Sequence, residues 1–122
     1  MAVGKNIRTY FNGTWHDSDV AIMQAADHGS WLGSNVFDGA RYFDGHAPDL
    51  QAHCARVNRS AAALMIPPTV STADMVAPVP AALKLYPAGA TVYIRPMYWG
   101  IHGHATGILP LPDETGSAIC RQ

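Results

Sequence analysis

The feature of the sequence that most limits the fold is the run of strand-forming residues at 91–99. Successive side chains of a strand point to opposite faces, so this run would present two different surfaces. One face carries the polar and aromatic side chains of Thr91, Tyr93, Arg95, Met97 and Trp99, and the other carries Val92, Ile94 and Tyr98. Because Pro96 has no backbone N–H to donate, we expect part of this strand to lie at an edge or a bulge.

Two turn sequences predict hairpins. Asn12-Gly13 separates residues 7–11 from residues 14–16, and Asp44-Gly45 follows residues 40–43. Both dipeptides accept the positive φ angles that tight hairpin turns require. Two further stretches are candidates for short strands, namely residues 20–23 and residues 116–120.

Residues 50–65 have the three-and-four apolar spacing of an amphipathic helix. Pro67-Pro68 would end this helix, because proline lacks an amide donor and disfavours helix in the residue before it. A second helix would be capped at Ser71 or Thr72. The prolines that follow predict a break in this second helix near Ala77.

The composition is that of one core-forming domain, with 122 residues, 48% hydrophobic and 14% charged. Together with the elements above it predicts an α+β fold in which an antiparallel β-sheet packs against two helices. A net charge of −1 gives no electrostatic footprint for nucleic acid or an anionic membrane. Since neither a spanning apolar run nor a signal-peptide core is found, we expect a cytoplasmic protein whose partner is a small molecule or another protein.

Three arginines, Arg41, Arg56 and Arg95, are candidates for binding a small anionic ligand. Guanidinium groups bind carboxylate or phosphate through paired donors. Arg95 lies two residues from Tyr93 in an apolar strand, where a cation needs a partner and few acids are available to supply one. Arg56 lies off the apolar stripe of the predicted helix, as Arg59 does, so the periodicity alone favours a solvated position for it.

Motifs of other functional classes are weak or absent. His102-Gly103-His104 could chelate a metal ion, with His46 and His53 as further candidates, but no third ligand stands at a recognised spacing, so loop histidines without a metal are favoured. Cys54 and Cys120 lack the spacing of a zinc or redox pair and predict reduced, structural thiols. The sequence contains no serine nucleophile elbow, P-loop or dinucleotide-binding fingerprint.

Several segments, taken in order, resemble the N-terminal part of a class IV (fold type IV) pyridoxal-phosphate aminotransferase, and most closely the branched-chain amino-acid aminotransferases. The resemblance covers essentially the whole chain. Its fold would be the small N-terminal domain of that family. The segments are Asn12-Gly13, Asp27-His28-Gly29-Ser30-Trp31-Leu32-Gly33-Ser34-Asn35-Val36-Phe37-Asp38-Gly39-Ala40-Arg41, His53-Cys54-Ala55-Arg56-Val57-Asn58-Arg59-Ser60-Ala61 and Tyr93-Ile94-Arg95-Pro96.

The resemblance implies specific roles for residues that the periodicity left open. It assigns Arg56 to the phosphate of pyridoxal 5′-phosphate, in place of a solvated position. It also implies that an amino acid and a 2-oxo acid are the substrates, exchanging an amino group, and that the protein forms a homodimer or otherwise self-associates. The implied substrate-binding residues are Phe37, Gly39 and Arg41, which would line the pocket, Tyr93, which would help hold the α-carboxylate, and Arg95, which would recognise polar or carboxylate groups.

The resemblance further implies a division of the chain. Residues 1–115 would form the small domain, and residues 116–122 would begin an interdomain segment or second domain. The family's Schiff-base lysine lies beyond the Tyr-x-Arg-Pro strand, and Lys5 and Lys84 are predicted to be solvated. We therefore assign no catalytic residue and expect the 122 residues alone to be inactive. The alternative is a non-catalytic binding or dimerisation module that kept the scaffold.

Overall fold

The computed structural model describes residues 6–102 and 115–121, and within them an antiparallel sheet and a layer of helices. The predicted α+β class is confirmed. The strands are β1 (Arg8–Phe11), β2 (Thr14–His16), β3 (Asn35–Phe37), β4 (Ala40–Tyr42), β5 (Val92–Gly100) and β6 (Thr115–Arg121). The helices are α1 (His28–Trp31), α2 (Leu50–Ala63), α3 (Thr72–Val76) and α4 (Val79–Leu83). No helix among these residues is long and apolar enough to cross a membrane.

The sheet has the order β2-β1-β6-β5-β3, and β4 also pairs with β5. Every pair is antiparallel. The segment at 116–120, expected to begin a strand, lies within β6, which runs between β1 and β5. Residues 115–121 therefore form an interior strand of this sheet.

β5 lies inside the sheet, with β6 on one side and β3 and β4 on the other. The expectation that Pro96 marks a sheet edge is therefore wrong. β3 and β4 keep one register along β5, so Asp38 lies opposite Pro96. The amide of Asp38 donates to the Pro96 carbonyl at 3.1 Å, but Pro96 has no N–H with which to return a second bond. The missing donor divides one strand, residues 35–42, into two short ones.

The core lies between the sheet and α2. Alternation along β5 is confirmed, because Val92, Ile94 and Tyr98 are each at most 1% exposed and face the helix layer. Cys54, Val57 and Ala61 present the buried stripe of α2 to them, as the spacing predicted. Burial of each large apolar side chain contributes about 2 kcal/mol to the free energy of folding.

Tyr98 links the core to the loop before α3. Its side chain is fully buried, and its hydroxyl donates to Oδ1 of Asn58 at 2.8 Å. The same hydroxyl accepts a bond from the amide of Val70 at 3.3 Å. Since a buried hydroxyl without partners would be costly, this pair of bonds makes a tyrosine acceptable in the core.

The predicted turns and helix ends agree with the structure at most positions. Asn12 and Gly13 have φ angles of 52° and 77°, and the hairpin of β1 and β2 forms around them. Ser71 caps α3 by accepting a bond from the amide of Asp74, and the second helical segment breaks at residues 77–78 as predicted. Residues 20–23 are not a strand, because the sheet ends at β2 and no neighbour pairs with them.

Candidate functional site

The extended segment at residues 35–42, which contains β3 and β4, sends alternate side chains to opposite sides of the sheet. Asp38, opposite the buried Pro96, points into the helix layer. We call the other surface the open face and define it by five residues, Phe37, Gly39, Arg41, Tyr93 and Arg95. Arg41 lies directly opposite Tyr93, and the continuous register places Gly39 opposite Arg95. The structure thus brings together all five residues that the resemblance assigned to the substrate.

Gly39 and Tyr93 are in close contact on the open face. A Cβ atom at Gly39 would lie 2.6 Å from the hydroxyl oxygen of Tyr93 and 2.7 Å from its ring. The tyrosine ring therefore lies against the backbone of the neighbouring strand, a position that only glycine permits without a shift of the ring. Gly39 thus fixes where the Tyr93 hydroxyl stands.

Arg95 and Arg41 have no ion pair or hydrogen bond among the residues that the structure describes. The Nε atom of Arg95 is buried and has no acceptor. Phe37, on the same face, is 61% exposed. A buried donor without a partner costs about 1–3 kcal/mol, and an anion bound at this position would remove that cost. The open face therefore combines unpaired cationic donors with an exposed aromatic side chain.

Arg56 lies on the other side of the same strand, in the helix layer. Its Nε donates to Oδ2 of Asp38 at 2.6 Å, and its Nη2 donates to Oδ1 at 2.8 Å. The side chain of Asp38 is 5% exposed, whereas that of Arg56 is 58% exposed. Arg56 therefore lies away from the open face and is hydrogen-bonded to Asp38, the residue between Phe37 and Gly39.

Asp38 is the best-connected polar side chain of this region. Its Oδ1 also accepts bonds from Nδ1 of His53 and from the amide of Gly39, each at 2.8 Å. The bonds from Arg56 are the main cause that lowers the pKa of Asp38 to about 2, against the opposing effect of burial. Nδ1 of His53 also lies 3.3 Å from Nη2 of Arg56. Because the ionised carboxylate of Asp38 can only accept, the proton on Nδ1 of His53 is assigned toward Asp38, and Nη2 of Arg56 then has no acceptor at Nδ1.

Sequence reasoning missed the roles of Asp38 and His53. One signal was available: His53 and Arg56 stand three residues apart and so share one side of α2. The carboxylate that joins them comes from a strand fifteen residues before His53. The pairing of such distant residues depends on how α2 docks on the sheet. The spacing of residues within a helix does not predict that docking.

A cavity bordered by described residues lies away from these groups. It has a volume of about 710 Å³ and is bordered by the ends of β1, β5 and β6. None of the predicted site residues lines it. Trp99, at its wall, donates from Nε1 to a carboxylate oxygen of the buried Asp27 at 3.2 Å, and its ring packs on Gly116.

The remaining sequence candidates have plain placements. His102 lies in an exposed bend, His104 is outside the described residues, and no group of three potential metal ligands occurs within 6–102 and 115–119. Cys54 is a free thiol buried in the core, where burial raises its pKa to about 11. Lys84 is exposed after α4, and Lys5 lies outside the described part of the chain.

Comparison with solved structures supports the assignment of the fold. An aminotransferase from Brucella abortus, bound to the cofactor PLP, is 46% identical with a TM-score of 0.93, covering 97% of this chain and 42% of its own. Branched-chain aminotransferases are more distant. That of Escherichia coli is 21% identical (TM-score 0.77, 96% of this chain and 40% of its own), and that of the archaeon Thermoproteus uzoniensis is 18% identical (TM-score 0.72, 94% and 39%).

The chain thus spans about two-fifths of the length of these structures. A comparison with curated protein sequences gave no significant match. The family described as amino-transferase class IV matches residues 35–120, a range that begins at β3 and includes both the open face and Arg56. With most of its length matched, the chain belongs to the class IV aminotransferase family.

Proposed function

We propose that this chain is the small-domain part of a pyridoxal-phosphate-dependent aminotransferase. The reaction would move an amino group between an amino acid, of branched-chain type, and a 2-oxo acid. Residues 1–115 would belong to this domain together with the rest of β6, and the remainder of the enzyme would follow. Pyridoxal phosphate, when bound, supplies the electron sink for the transfer, and the protein supplies binding and orientation.

The observation that carries this proposal is the pair of unpartnered arginines on the open face. Arg95 and Arg41 face the same side of the sheet as Tyr93, and the buried Nε of Arg95 lacks an acceptor in the described part of the chain. A substrate carboxylate offers two acceptor oxygens to such donors. In this role Tyr93 helps hold the α-carboxylate, Arg95 recognises carboxylate or polar groups, and Phe37 contacts apolar substrate atoms.

Arg56 has the donor chemistry that the phosphate of the cofactor requires. Asp38 occupies its Nε and one N–H of Nη2, and the exposed guanidinium retains further donors on Nη1 and Nη2. Guanidinium and phosphate match in geometry as well as in charge. The same Brucella abortus structure that is 46% identical to this chain binds PLP, which supports the same cofactor here.

The two arginines should divide their effects between substrate and cofactor. In the purified full-length protein, Arg95→Ala should raise the KM for the amino donor about tenfold and leave cofactor affinity within about twofold. Arg56→Ala should weaken cofactor binding about tenfold instead. The matched control is Arg59→Ala, on the same helix and exposed, which should change neither. Equal losses of cofactor affinity in the Arg95 and Arg56 variants would contradict the division.

We also propose that residues 1–122 by themselves do not catalyse the transfer and that the enzyme acts as a homodimer. Lys84 is exposed in the helix layer, and neither face of the strand at 35–42 carries a lysine. Trp31 and Phe37 are 57% and 61% exposed, a large apolar area for a surface without a partner. Borohydride reduction in the presence of the cofactor should label no lysine of this chain, and a strictly monomeric sedimentation profile would contradict the homodimer.

A further inference from the structure

We infer that Asp38 is a positioning residue that holds the guanidinium of Arg56 in the orientation that receives a phosphate group. The inference rests on the proposed function, because it concerns the same cofactor phosphate. It adds a residue that the sequence motifs left without a role. Arg56 would touch the ligand, and Asp38 would act through Arg56.

The geometry of the pair carries the first step. A guanidinium is planar, and the edge formed by Nε and Nη2 and the edge formed by Nη1 and Nη2 each present two parallel N–H donors. Asp38 occupies the edge formed by Nε and Nη2, at 2.6 and 2.8 Å. Nη2 also lies 3.3 Å from Nδ1 of His53, but Nδ1 cannot accept when its proton is directed at Asp38. The edge formed by Nη1 and Nη2 is therefore left for a second acceptor. No described residue accepts a hydrogen bond from Nη1.

The anchoring of Asp38 carries the second step. Its carboxylate is 5% exposed and is held by the Gly39 amide and by His53, and its own amide is tied to the Pro96 carbonyl. The carboxylate is therefore a fixed point. Arg56, in contrast, is a long and mostly exposed side chain that would otherwise sample many rotamers. Held by Asp38, it has already lost much of the freedom that ligand binding would remove.

The negative charge of Asp38 has the opposite effect on phosphate affinity. The sign of the change in affinity when this charge is removed therefore tests the inference. A carboxylate beside Arg56 repels a phosphate dianion, so if charge alone mattered, removing it would strengthen binding. If orientation dominates, removing it weakens binding. The two readings predict changes of opposite sign in the same measurement.

The experiment compares two ligands that differ only in the phosphate. Dissociation constants of pyridoxal 5′-phosphate and pyridoxal are measured by equilibrium titration on the cofactor-free, full-length protein. The Kd of pyridoxal divided by the Kd of pyridoxal 5′-phosphate isolates the phosphate contribution. We expect Asp38→Asn to reduce this ratio about tenfold. The matched control Asp44→Asn makes the same chemical change at an exposed turn residue with a φ of 49°, which asparagine also accepts, and should leave the ratio unchanged.

A double variant separates positioning from a general loss of structure. Arg56→Gln should reduce the ratio by at least as much as Asp38→Asn, and adding Asp38→Asn to Arg56→Gln should produce no further reduction. Should Asp38→Asn fail to fold, Asp38→Glu keeps the charge and shifts the carboxylate by one methylene. That variant should reduce the ratio about threefold, since the pair must adjust its geometry.

The outcomes distinguish this inference from the proposed function. If Arg56→Gln leaves the ratio unchanged, the proposed phosphate role of Arg56 fails, and this inference fails with it. If Arg56→Gln reduces the ratio but Asp38→Asn leaves it unchanged or raises it, the proposed function stands and the positioning role of Asp38 is overturned. Equal weakening of both ligands by Asp38→Asn would likewise overturn it, because the effect would then not act through the phosphate.

Discussion

The two faces of the sheet at residues 35–42 differ in whether their charged side chains have hydrogen-bond partners. On the helix side, Asp38 is buried and accepts four hydrogen bonds from Arg56, His53 and Gly39. On the open face, the buried Nε of Arg95 has no acceptor among the residues that the structure describes. The carboxylate on the helix side thus has its hydrogen-bond partners in the described protein, whereas the guanidinium on the open face lacks one for its Nε.

The difference separates groups that hold the structure from groups that await a ligand. A buried polar group normally has a partner inside the protein, and an exception calls for an explanation. Removal of a charge should therefore cost stability on the helix side and little or none on the open face. The free energies of unfolding of variants on the two faces test this contrast.

The largest effect is expected at Asp38. Asp38→Asn removes the negative charge of the carboxylate to which both Arg56 and His53 are hydrogen-bonded. This change should lower the free energy of unfolding by about 3 kcal/mol. Asp44→Asn, at an exposed turn, should change it by less than about 0.5 kcal/mol. Urea unfolding of the two variants measures the difference. Equal stability of both would remove the basis of the contrast.

The acid dependence of stability should follow the same carboxylate. The pKa of Asp38 is lowered from 3.8 to about 2, so the folded state favours its ionised form. Its contribution, about 2 kcal/mol, is complete above pH 4 and is lost as the pH falls from about 4 to about 2. Unfolding curves measured across this range should show a steep loss of stability in the parent protein. The loss should be shallower in Asp38→Asn, and parallel curves would count against the assignment.

A neutral hydrogen-bond network on the helix side should contribute less. Tyr98→Phe removes a fully buried hydroxyl that bonds Asn58 and the amide of Val70. We expect a loss of about 1 kcal/mol in the free energy of unfolding. Tyr86→Phe is the matched control, because its hydroxyl bonds a carbonyl in an exposed position and should contribute under about 0.5 kcal/mol. A larger loss at Tyr86 would reverse the expected order.

The smallest effect on stability, and the clearest opposite case, is expected at Arg95. Arg95→Met removes a buried donor that has no acceptor within residues 6–102 and 115–121, so the free energy of unfolding should stay equal or rise by up to about 1 kcal/mol. The same variant should lose substrate affinity. Thermal unfolding of the ligand-free protein provides the measurement. A marked loss of stability would mean that Arg95 has a structural partner.

Local sequence patterns predicted most of the open face and the core. Alternation along β5 placed Tyr93 and Arg95 on one side and Ile94 on the other, because side-chain direction in a strand depends only on position. The motif resemblance added Gly39 and Arg41. Ser71 likewise marked the start of α3, and the prolines marked the break between α3 and α4, since the effects of these residues on a helix act within one turn.

What local patterns could not predict depends on contacts between distant parts of the chain. The position of β5 inside the sheet requires β6 to insert between it and β1. β6 thus pairs with residues 15 to 27 positions away in β5 and 109 to 113 positions away in β1. The Asp38–Arg56 pair likewise depends on the docking of α2. Residues 20–23 have strand-forming side chains but no strand to pair with, which shows how sheet context overrides propensity.

The bond between the Asp38 carboxylate and the Gly39 amide also bears on aggregation. The amide of Asp38 points inward to Pro96, so the next amide, that of Gly39, points out from the edge of the sheet. An exposed edge with free donors can template the addition of a strand from another molecule. Here the donor at the middle of the edge is already bonded to a buried carboxylate of its own chain. Asp38 thereby removes this one outward-pointing donor from the edge, and its loss would leave the Gly39 amide free to pair with a strand of another molecule.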